Sequence, residues 1–328
     1  MHGEVRRHPK CREKIKKAVV VGCEGQDGRL LTDLLLKKNY EIVSIDKDIM
    51  RSPGRLRFKA IDISNPKEVF NVVERFKPDE IYYLAAFHHS SEDKPIENIE
   101  LSAQSYKVNV LSLINFLEAI KKASPGARLF YAASSHIFGN TRRDGLQDED
   151  TPINPTSVYG ITKAAGLFTC RFYRDKYSIF ASTGILYNHE SSLRSEKFIS
   201  KKIIRGAINI KNGAQKAIVL GDLSAKIDFG YAADYVEAMH KILNISKSDD
   251  FVIASGEEHS VLDFVKITFS FLGLDWKLYV REDRKVLMKQ RYHLIGDSGK
   301  LRSMTSWRPS VDFREMIRLL LSDEGAFK

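Results

Sequence analysis

A chain of 328 residues, 43% hydrophobic and 29% charged, can bury a large core in one domain or two modest ones. It holds no apolar run near the roughly 18 residues of a spanning helix, which argues against a membrane protein. The formal charge of +10 is scattered along the chain, dense only at residues 6–17, with no zinc-finger or RNP motif beside it. That pattern argues against nucleic acid as partner and suits a lysine-rich solvated surface with some attraction for phosphorylated small molecules.

The basic N-terminal stretch MHGEVRRHPKCREKIKK lacks the apolar core of a signal peptide and reads as a solvated lead-in. From Lys17 short apolar runs alternate with amphipathic stretches, the pattern of βαβ units. Ala18–Gly22 predicts a buried strand, Arg29–Asn39 a helix and Tyr40–Asp46 the second strand. A helix begins at Asn65 with Pro66 in its first position. Next come a strand at Glu80–Ala86, a long helix at Ser102–Ala123 and a strand at Ala127–Ser134. A helix at Gly160–Tyr177 and a strand at Ile179–Asn188 complete this half. Beyond it the rhythm loosens into helices at Lys197–Ile210, Tyr235–Ile245 and Val261–Gly273, with strands at Ala217–Gly221 and Asp250–Ser255. The fold class expected is α/β: a Rossmann-type, doubly wound parallel sheet over residues 17–188 with a smaller α/β substrate lobe over 189–328. No linker marks that boundary, so elements of the two parts can interleave. Three cysteines, Cys11, Cys23 and Cys170, are odd in number and lack metal-ligand spacing, which suits a reducing cytoplasm and no metal.

In VVVGCEGQDGRLL, Gly22, Gly25 and Gly28 form G-x-x-G-x-x-G between a strand and a helix. Glycines there allow a tight turn and a close approach of backbone to a pyrophosphate at the helix N-terminus. Gln26 and Asp27 fill the loop and are assigned with it to a dinucleotide. Asp46, eighteen residues beyond Gly28, ends the second strand. It can accept hydrogen bonds from ribose hydroxyls and would repel a 2′-phosphate, favouring NAD over NADP, although Lys47 and Arg51 soften that repulsion. Asp62 and Ile63 follow the third strand, where Asp62 either meets adenine or serves as a turn residue. Leu84, Ala85 and Ala86 end the fourth strand on the cofactor side.

YGITK sets Tyr159 and Lys163 four residues apart, on one face of a helix. A lysine ammonium beside a phenol favours the phenolate and lowers its pKa from about 10 toward neutrality. The phenolate can then take a proton from an alcohol whose carbon gives hydride to nicotinamide. Ser134 and Ser135 lie on the preceding strand end, as such a site needs.

From Lys17 onward the chain resembles the extended short-chain dehydrogenase/reductases, and within them the GDP-mannose 4,6-dehydratases. The pieces that carry the resemblance are GQDG (25–28), GILYNHES (184–191), LGDLSAKIDFGYAADY (220–235), DYVEAM (234–239), DFVIASGEEHSV (250–261) and SWRPSVDFREMI (306–317). The resemblance implies a nucleotide-diphosphate sugar as substrate, GDP-linked, and a helix-paired homodimer or homotetramer. By motif, Ser134 would hydrogen-bond the sugar 4-hydroxyl, Tyr159 would be the C4 base, and Lys163 would bind the nicotinamide ribose. Asn188 and Lys201 would hold the diphosphate. The helix at Lys197–Ile210, the loop around Gly221 and Lys226 would flank the base.

Several positions depart from the family. Its threonine-serine-glutamate triplet, whose glutamate removes the C5 proton, reads Ser134-Ser135-His136 here. Ile227 stands where the family has arginine, and KVLMKQRYHLIGD lacks an arginine-proline pair, leaving Arg291 as a substitute phosphate partner or a surface charge. The family prefers NADP and has basic residues where Asp46 stands, and Glu24 puts a negative charge in the glycine loop.

A histidine with a pKa of about 6.5 can accept the C5 proton and return one to a departing C6 hydroxyl. The sequence then implies C4 oxidation, elimination of water across C5 and C6, and reduction at C6. Without the carboxylate, elimination can instead fail, leaving a C4 epimerase, dehydrogenase or reductase. A histidine packed without a proton role is the third reading. His88 contacts substrate in the expected arrangement. Adjacent His88 and His89 point to opposite sides of a strand end and make poor joint metal ligands. A non-catalytic, cofactor-sensing protein is a remote alternative, opposed by the intact Tyr159–Lys163 pair.

Overall fold

Apolar runs such as Ala18–Val21 and Leu129–Ala133 have no polar face to offer water, so strands built from them need helices on both sides. A computed structural model describes residues 14–47, 56–87, 99–139, 146–283 and 294–327 and meets that requirement. The strands are β1 (Lys17–Val21), β2 (Glu41–Asp46), β3 (Leu56–Ala60), β4 (Glu80–Tyr83), β5 (Arg128–Ser134) and β6 (Ala181–Leu186), then β7 (Asn188–Glu190), β8 (Ile218–Leu220), β9 (Lys226–Tyr231), β10 (Asp250–Ile253), β11 (Glu258–Ser260) and β12 (Val280–Glu282). The α-helices are α1 (Gln26–Lys37), α2 (Pro66–Phe76), α3 (Ile99–Tyr106), α4 (Ser112–Ala123), α5 (Val158–Tyr177), α6 (Ile199–Lys211), α7 (Ala232–Leu243), α8 (Val261–Phe271), α9 (Gly299–Thr305) and α10 (Phe313–Asp323).

Seven strands form one sheet in the order β10-β6-β5-β4-β1-β2-β3, every pair parallel. The strand order reverses beside β1, so a crevice opens at the carboxyl ends of β1 and β4. Val69, Phe116 and Leu167, from α2, α4 and α5, cover one face. Leu31, Val236 and Trp307 belong to the core on the other face, where α1 and α7 pack. A third core, with Ile203, Phe264 and Ile317, holds α6, α8 and α10 together. β7 and β11 flank β9 in a separate three-stranded sheet, and β12 pairs with β8. The chain thus leaves the large sheet after β6 and returns with β10 and α7, beyond residue 189, to complete it.

Two expected elements divide. The helix read as Ser102–Ala123 contains a π-helical turn at Lys107–Leu111 between α3 and α4. Buried Asn109 accounts for it: its Nδ2 donates to Thr162 Oγ1 (2.9 Å) and Ser105 Oγ (3.2 Å), and its Oδ1 accepts from Phe87 N (3.1 Å). The Ser112 hydroxyl donates to the Lys107 carbonyl at 2.8 Å within the wider turn. The strand read as Ile179–Asn188 ends at Leu186, because Asn188–Glu190 pairs with Phe229–Tyr231 in the smaller sheet.

The crevice depends on close backbone approaches. Gly22 has φ +86°, and a Cβ there would lie 2.7 Å from Ala85 N. A Cβ on Gly28 would lie 2.2 Å from the Gly22 carbonyl oxygen, which sets how near α1 comes to β1. Gly28→Ala is therefore expected to lower the unfolding free energy by at least ~1–3 kcal/mol, the usual cost of overpacking, measured by urea denaturation.

Candidate active site

The glycine loop closes with Gly22 N donating to Ile45 O (2.8 Å) and Gly25 N to Gly22 O (3.2 Å). No side chain caps α1 at Gly25, and a Cβ there would meet only the Gly22 oxygen at 3.4 Å. First-turn amides and the positive end of the helix dipole are thus left without a side-chain cap, an arrangement that fits a dinucleotide's diphosphate. Leu84 and Ala85 are half-buried at the β4 exit and Ala86 is exposed there. Asp46 ends β2, its carboxylate accepting from Glu24 N (3.0 Å) and Lys47 N (2.8 Å). Glu24, unexpected in such a loop, is paired with Arg29 at 3.0 Å. The exposed Asp62 carboxylate accepts from the Ser64 hydroxyl (2.7 Å) and amide (2.9 Å), bonds that hold it below the usual carboxylate range. Those bonds fit the turn role, one of the two foreseen for it. Beside it Ile63 packs on the core and its carbonyl accepts from Asn115 at 3.0 Å.

Gln26 and Asp27 turn from the loop toward β7. Gln26 Nε2 donates to the His189 carbonyl (3.1 Å) and its Oε1 accepts from the Ser191 hydroxyl (2.8 Å). His189 Nε2 lies 2.9 and 3.0 Å from the two Asp27 oxygens. The GQDG and NHES stretches therefore form one interlocked unit.

Tyr159 sits in the first turn of α5, whose N-cap Ser157 accepts from Gly160 N at 3.1 Å. A Cβ on Gly160 would lie 2.6 Å from the His136 carbonyl oxygen, so glycine lets α5 start directly against the 3-10 turn at Ser135–Ile137. That turn carries His136 out of β5. Its amide donates to Ser134 Oγ (3.3 Å), and the same hydroxyl bonds the Tyr159 phenol. The His136 side chain is exposed and stands edge-on to Tyr159, ring centroids 5.8 Å apart. Ser135 is buried and forms the turn.

Lys163 is only 2% exposed; its Nζ donates to the Ala132 carbonyl at 2.7 Å and lies 5.7 Å from the Tyr159 ring centroid. The anticipated lowering of the phenol pKa does not occur. Burial pushes Tyr159 up to about 12, offset only in part by the Ser134 hydrogen bond and the Arg194 charge. Burial likewise takes Lys163 down to about 7, with Asp27 opposing. Desolvation, the largest cause in each case, disfavours both charged forms.

Toward the smaller lobe, Asn188 is exposed at the start of β7. Lys201 is buried, its ammonium bonded to the Ser192 carbonyl (2.6 Å) and paired with Glu324, which Arg205 also meets at 3.1 Å. Gly221 is buried at the end of β8, and exposed Lys226 pairs with Glu258. The geometry brings Ser134, His136, Tyr159 and Lys163 together, whereas Lys201 and Lys226 are engaged with carboxylates. His88, His89, Arg51, Cys11 and Arg291 lie outside the described residues. Sequence reasoning missed Asn109, one of several amides in its helix, and Arg194, four residues past Glu190 and 3.4 Å from it. It also missed Asp228, whose buried carboxylate accepts from Ser255 N (2.9 Å), Ser255 Oγ (2.6 Å), Gly256 N (3.1 Å) and Gly296 N (3.2 Å). Among the described residues no group of three or more His, Cys, Asp or Glu could hold a metal, and no helix is long and apolar enough to cross a membrane.

Lys163 titrates lower in the fold than in the unfolded chain, where a lysine has a pKa near 10.4. The buried ammonium thus destabilises the protein most below about pH 7, and the penalty shrinks as pH rises from there toward the unfolded pKa near 10.4 and is gone above it. Lys163→Met is expected to melt higher than the parent at pH 6, with the gain shrinking at alkaline pH, followed by calorimetry.

A family model described as GDP-mannose 4,6 dehydratase matches residues 19–320. GDP-mannose 4,6 dehydratase 2 of Arabidopsis thaliana is 33% identical over 334 residues, covering 95% of this chain and 87% of its own. The dTDP-glucose 4,6-dehydratase of Bacillus anthracis, solved with NAD, superposes with a TM-score of 0.81 at 18% identity, covering 94% of this chain and 96% of that one. RMD from Pseudomonas aeruginosa, solved with NADPH, gives 0.78 at 19% identity over 94% and 98% of the two chains.

Proposed function

The chain belongs to the GDP-mannose 4,6-dehydratase family, as an enzyme of the extended short-chain dehydrogenase/reductases, and from that premise we propose that it removes water from a GDP-linked hexose to give a 4-keto-6-deoxy sugar. The observation that carries this reading is the exposed His136 ring edge-on to Tyr159, beside the shared hydroxyl of Ser134.

A bound nicotinamide supplies an acceptor for the C4 hydride and gives it back at C6. Ser134 holds the 4-hydroxyl against Tyr159. With its own pKa near 12, the phenol needs further positive charge close by to act as base at neutral pH. Lys163, within 5.7 Å of the Tyr159 ring, would supply part of that charge when protonated, and an oxidised nicotinamide, when bound, would add to it. Tyr159 then takes the proton of the 4-hydroxyl. His136 takes the proton from C5, acidified by the new C4 carbonyl, and passes a proton to the hydroxide leaving C6, releasing water. The protons and the hydride balance to the loss of one water with no net change of cofactor.

For the cofactor we favour NAD, because Asp46 and Glu24 both put carboxylates at the ribose end of the loop. The solved neighbours hold NAD or NADPH, so the choice is this chain's own. We further propose a homodimer paired through α5, where Ile161, Phe168 and Phe172 form an exposed apolar stripe at helical spacing, with Leu111 beyond it. Buried free Cys23 and Cys170 suit a reducing cytoplasm.

Incubating the protein with GDP-mannose and other GDP-hexoses, with and without NAD, and weighing the products tests the reaction. A product lighter by one water, formed without net NADH, is expected. Tyr159→Phe should slow it at least about a hundredfold, and His136→Ala should stop elimination while leaving slow C4 oxidation. NADH accumulation, or an isomer of unchanged mass, would instead identify a dehydrogenase or epimerase, the second reading that a histidine in place of the glutamate permits.

Cofactor choice and assembly have separate checks. Asp46→Ala should narrow the preference for NAD over NADP by about tenfold or more, measured from the two dissociation constants. Phe172→Asp should shift the protein toward monomer in sedimentation.

A further inference from the structure

His189 Nδ1 lies 2.7 Å from the Tyr187 carbonyl oxygen, which can only accept, so this nitrogen carries a hydrogen. Its Nε2 faces both oxygens of Asp27. The ring is 7% exposed and stacks on Tyr235, centroids 4.7 Å apart. One more proton must therefore lie between Nε2 and the carboxylate. Asp27 is the second residue of α1, where the helix dipole favours a negative charge, and Gln26 Nε2 donates to it at 3.2 Å. Those surroundings keep the acid ionised and leave the proton on the imidazole.

That placement raises a problem. A carboxylate in the first turn of α1 repels any second anion brought to the same turn. Resting on the reading of the glycine loop as a dinucleotide site, we propose that protonated His189 neutralises Asp27, so that a diphosphate can bind at α1 and cofactor affinity follows the protonation of a residue on β7. Burial opposes charge on both partners, yet their attraction prevails: the Asp27 carboxyl is held below its usual range and the His189 imidazole above its own. The other charged or titratable groups facing the pair are Arg194 after β7, Lys163 and Tyr159 on α5, and Tyr235 on α7. Arg194 attracts Asp27 and opposes the imidazolium. Tyr159 and Lys163 both feel the Asp27 charge as an upward push on their pKa values. Loss of the His189 proton therefore leaves Asp27 bare toward the diphosphate and makes the phenol a harder acid to ionise. The imidazolium is present below the raised His189 pKa and lost above it, so affinity falls as pH rises.

The test measures NAD and NADP dissociation constants by calorimetry between about pH 6 and 10 for the parent, His189→Gln, and Asp27→Asn/His189→Gln, with a melting curve for each. The parent should bind and lose affinity on the alkaline side. His189→Gln should bind about tenfold more weakly at neutral pH, with its carboxylate uncompensated. The double variant should recover most of that loss and lack the parent's alkaline fall. A double variant at least as weak as the single one, with unchanged melting, would overturn the proposal, and so would a parent whose affinity is flat with pH. If the parent binds neither dinucleotide, it is the glycine-loop reading that fails.

Discussion

An ammonium group held away from water sets the terms for this site. Lys163 reaches from α5 to the Ala132 carbonyl on β5 and lies 5.1 Å from the Tyr131 ring centroid. That contact requires α5 to lie directly on the sheet. Gly160 permits that approach, because a Cβ there would lie 2.6 Å from the His136 carbonyl oxygen in the turn at Ser135–Ile137. Tyr159, Ser134 and His136 are brought together by the same packing. In that low dielectric each charge costs more, and burial moves the lysine down and the phenol up from their ordinary pKa values. The protein thus prepares positions and leaves charge to arrive with its ligands.

A second set of buried polar contacts ties the smaller lobe to the crevice. Asp228 on β9 collects four donors from the loop after β10 and from Gly296. Burial raises its carboxyl pKa, and those hydrogen bonds hold the increase down. Gln147 accepts from the Tyr187 hydroxyl (3.0 Å) and Ile295 N (2.8 Å), joining the chain after β5 to the segment before α9. The Asp27–His189 pair does the same between α1 and β7. Satisfied polar networks of this kind specify one arrangement of the lobes more sharply than apolar packing does, since each broken bond leaves a buried group without a partner.

Much of this was legible in the residues. Apolar strand runs, the Asn65-Pro66 helix start, the glycine loop and the Tyr159–Lys163 spacing each have a local physical cause, and local causes survive in sequence. The Asn65 side chain does cap α2, accepting from Lys67 N at 3.1 Å. What misled was any inference requiring the environment. The phenol was expected to be acidified by its lysine neighbour because spacing shows proximity but not solvent. The pairing of Lys201 with Glu324, 123 residues away, is likewise not visible in local sequence. The π-helical turn follows from Asn109 meeting Thr162 across the fold, a contact no helical periodicity contains.

Sequence by itself determined the parallel sheet, the glycine loop between strand and helix, the Tyr159–Lys163 spacing, and the histidine at position 136. These depend on residue type, short spacing and strand-to-helix order. Tertiary structure decided which way His136 faces, that Lys163 is desolvated, and that the GQDG and NHES stretches share a buried proton. Those properties depend on distances between parts of the chain far apart in sequence and on how much water reaches them, and neither quantity is written in local pattern.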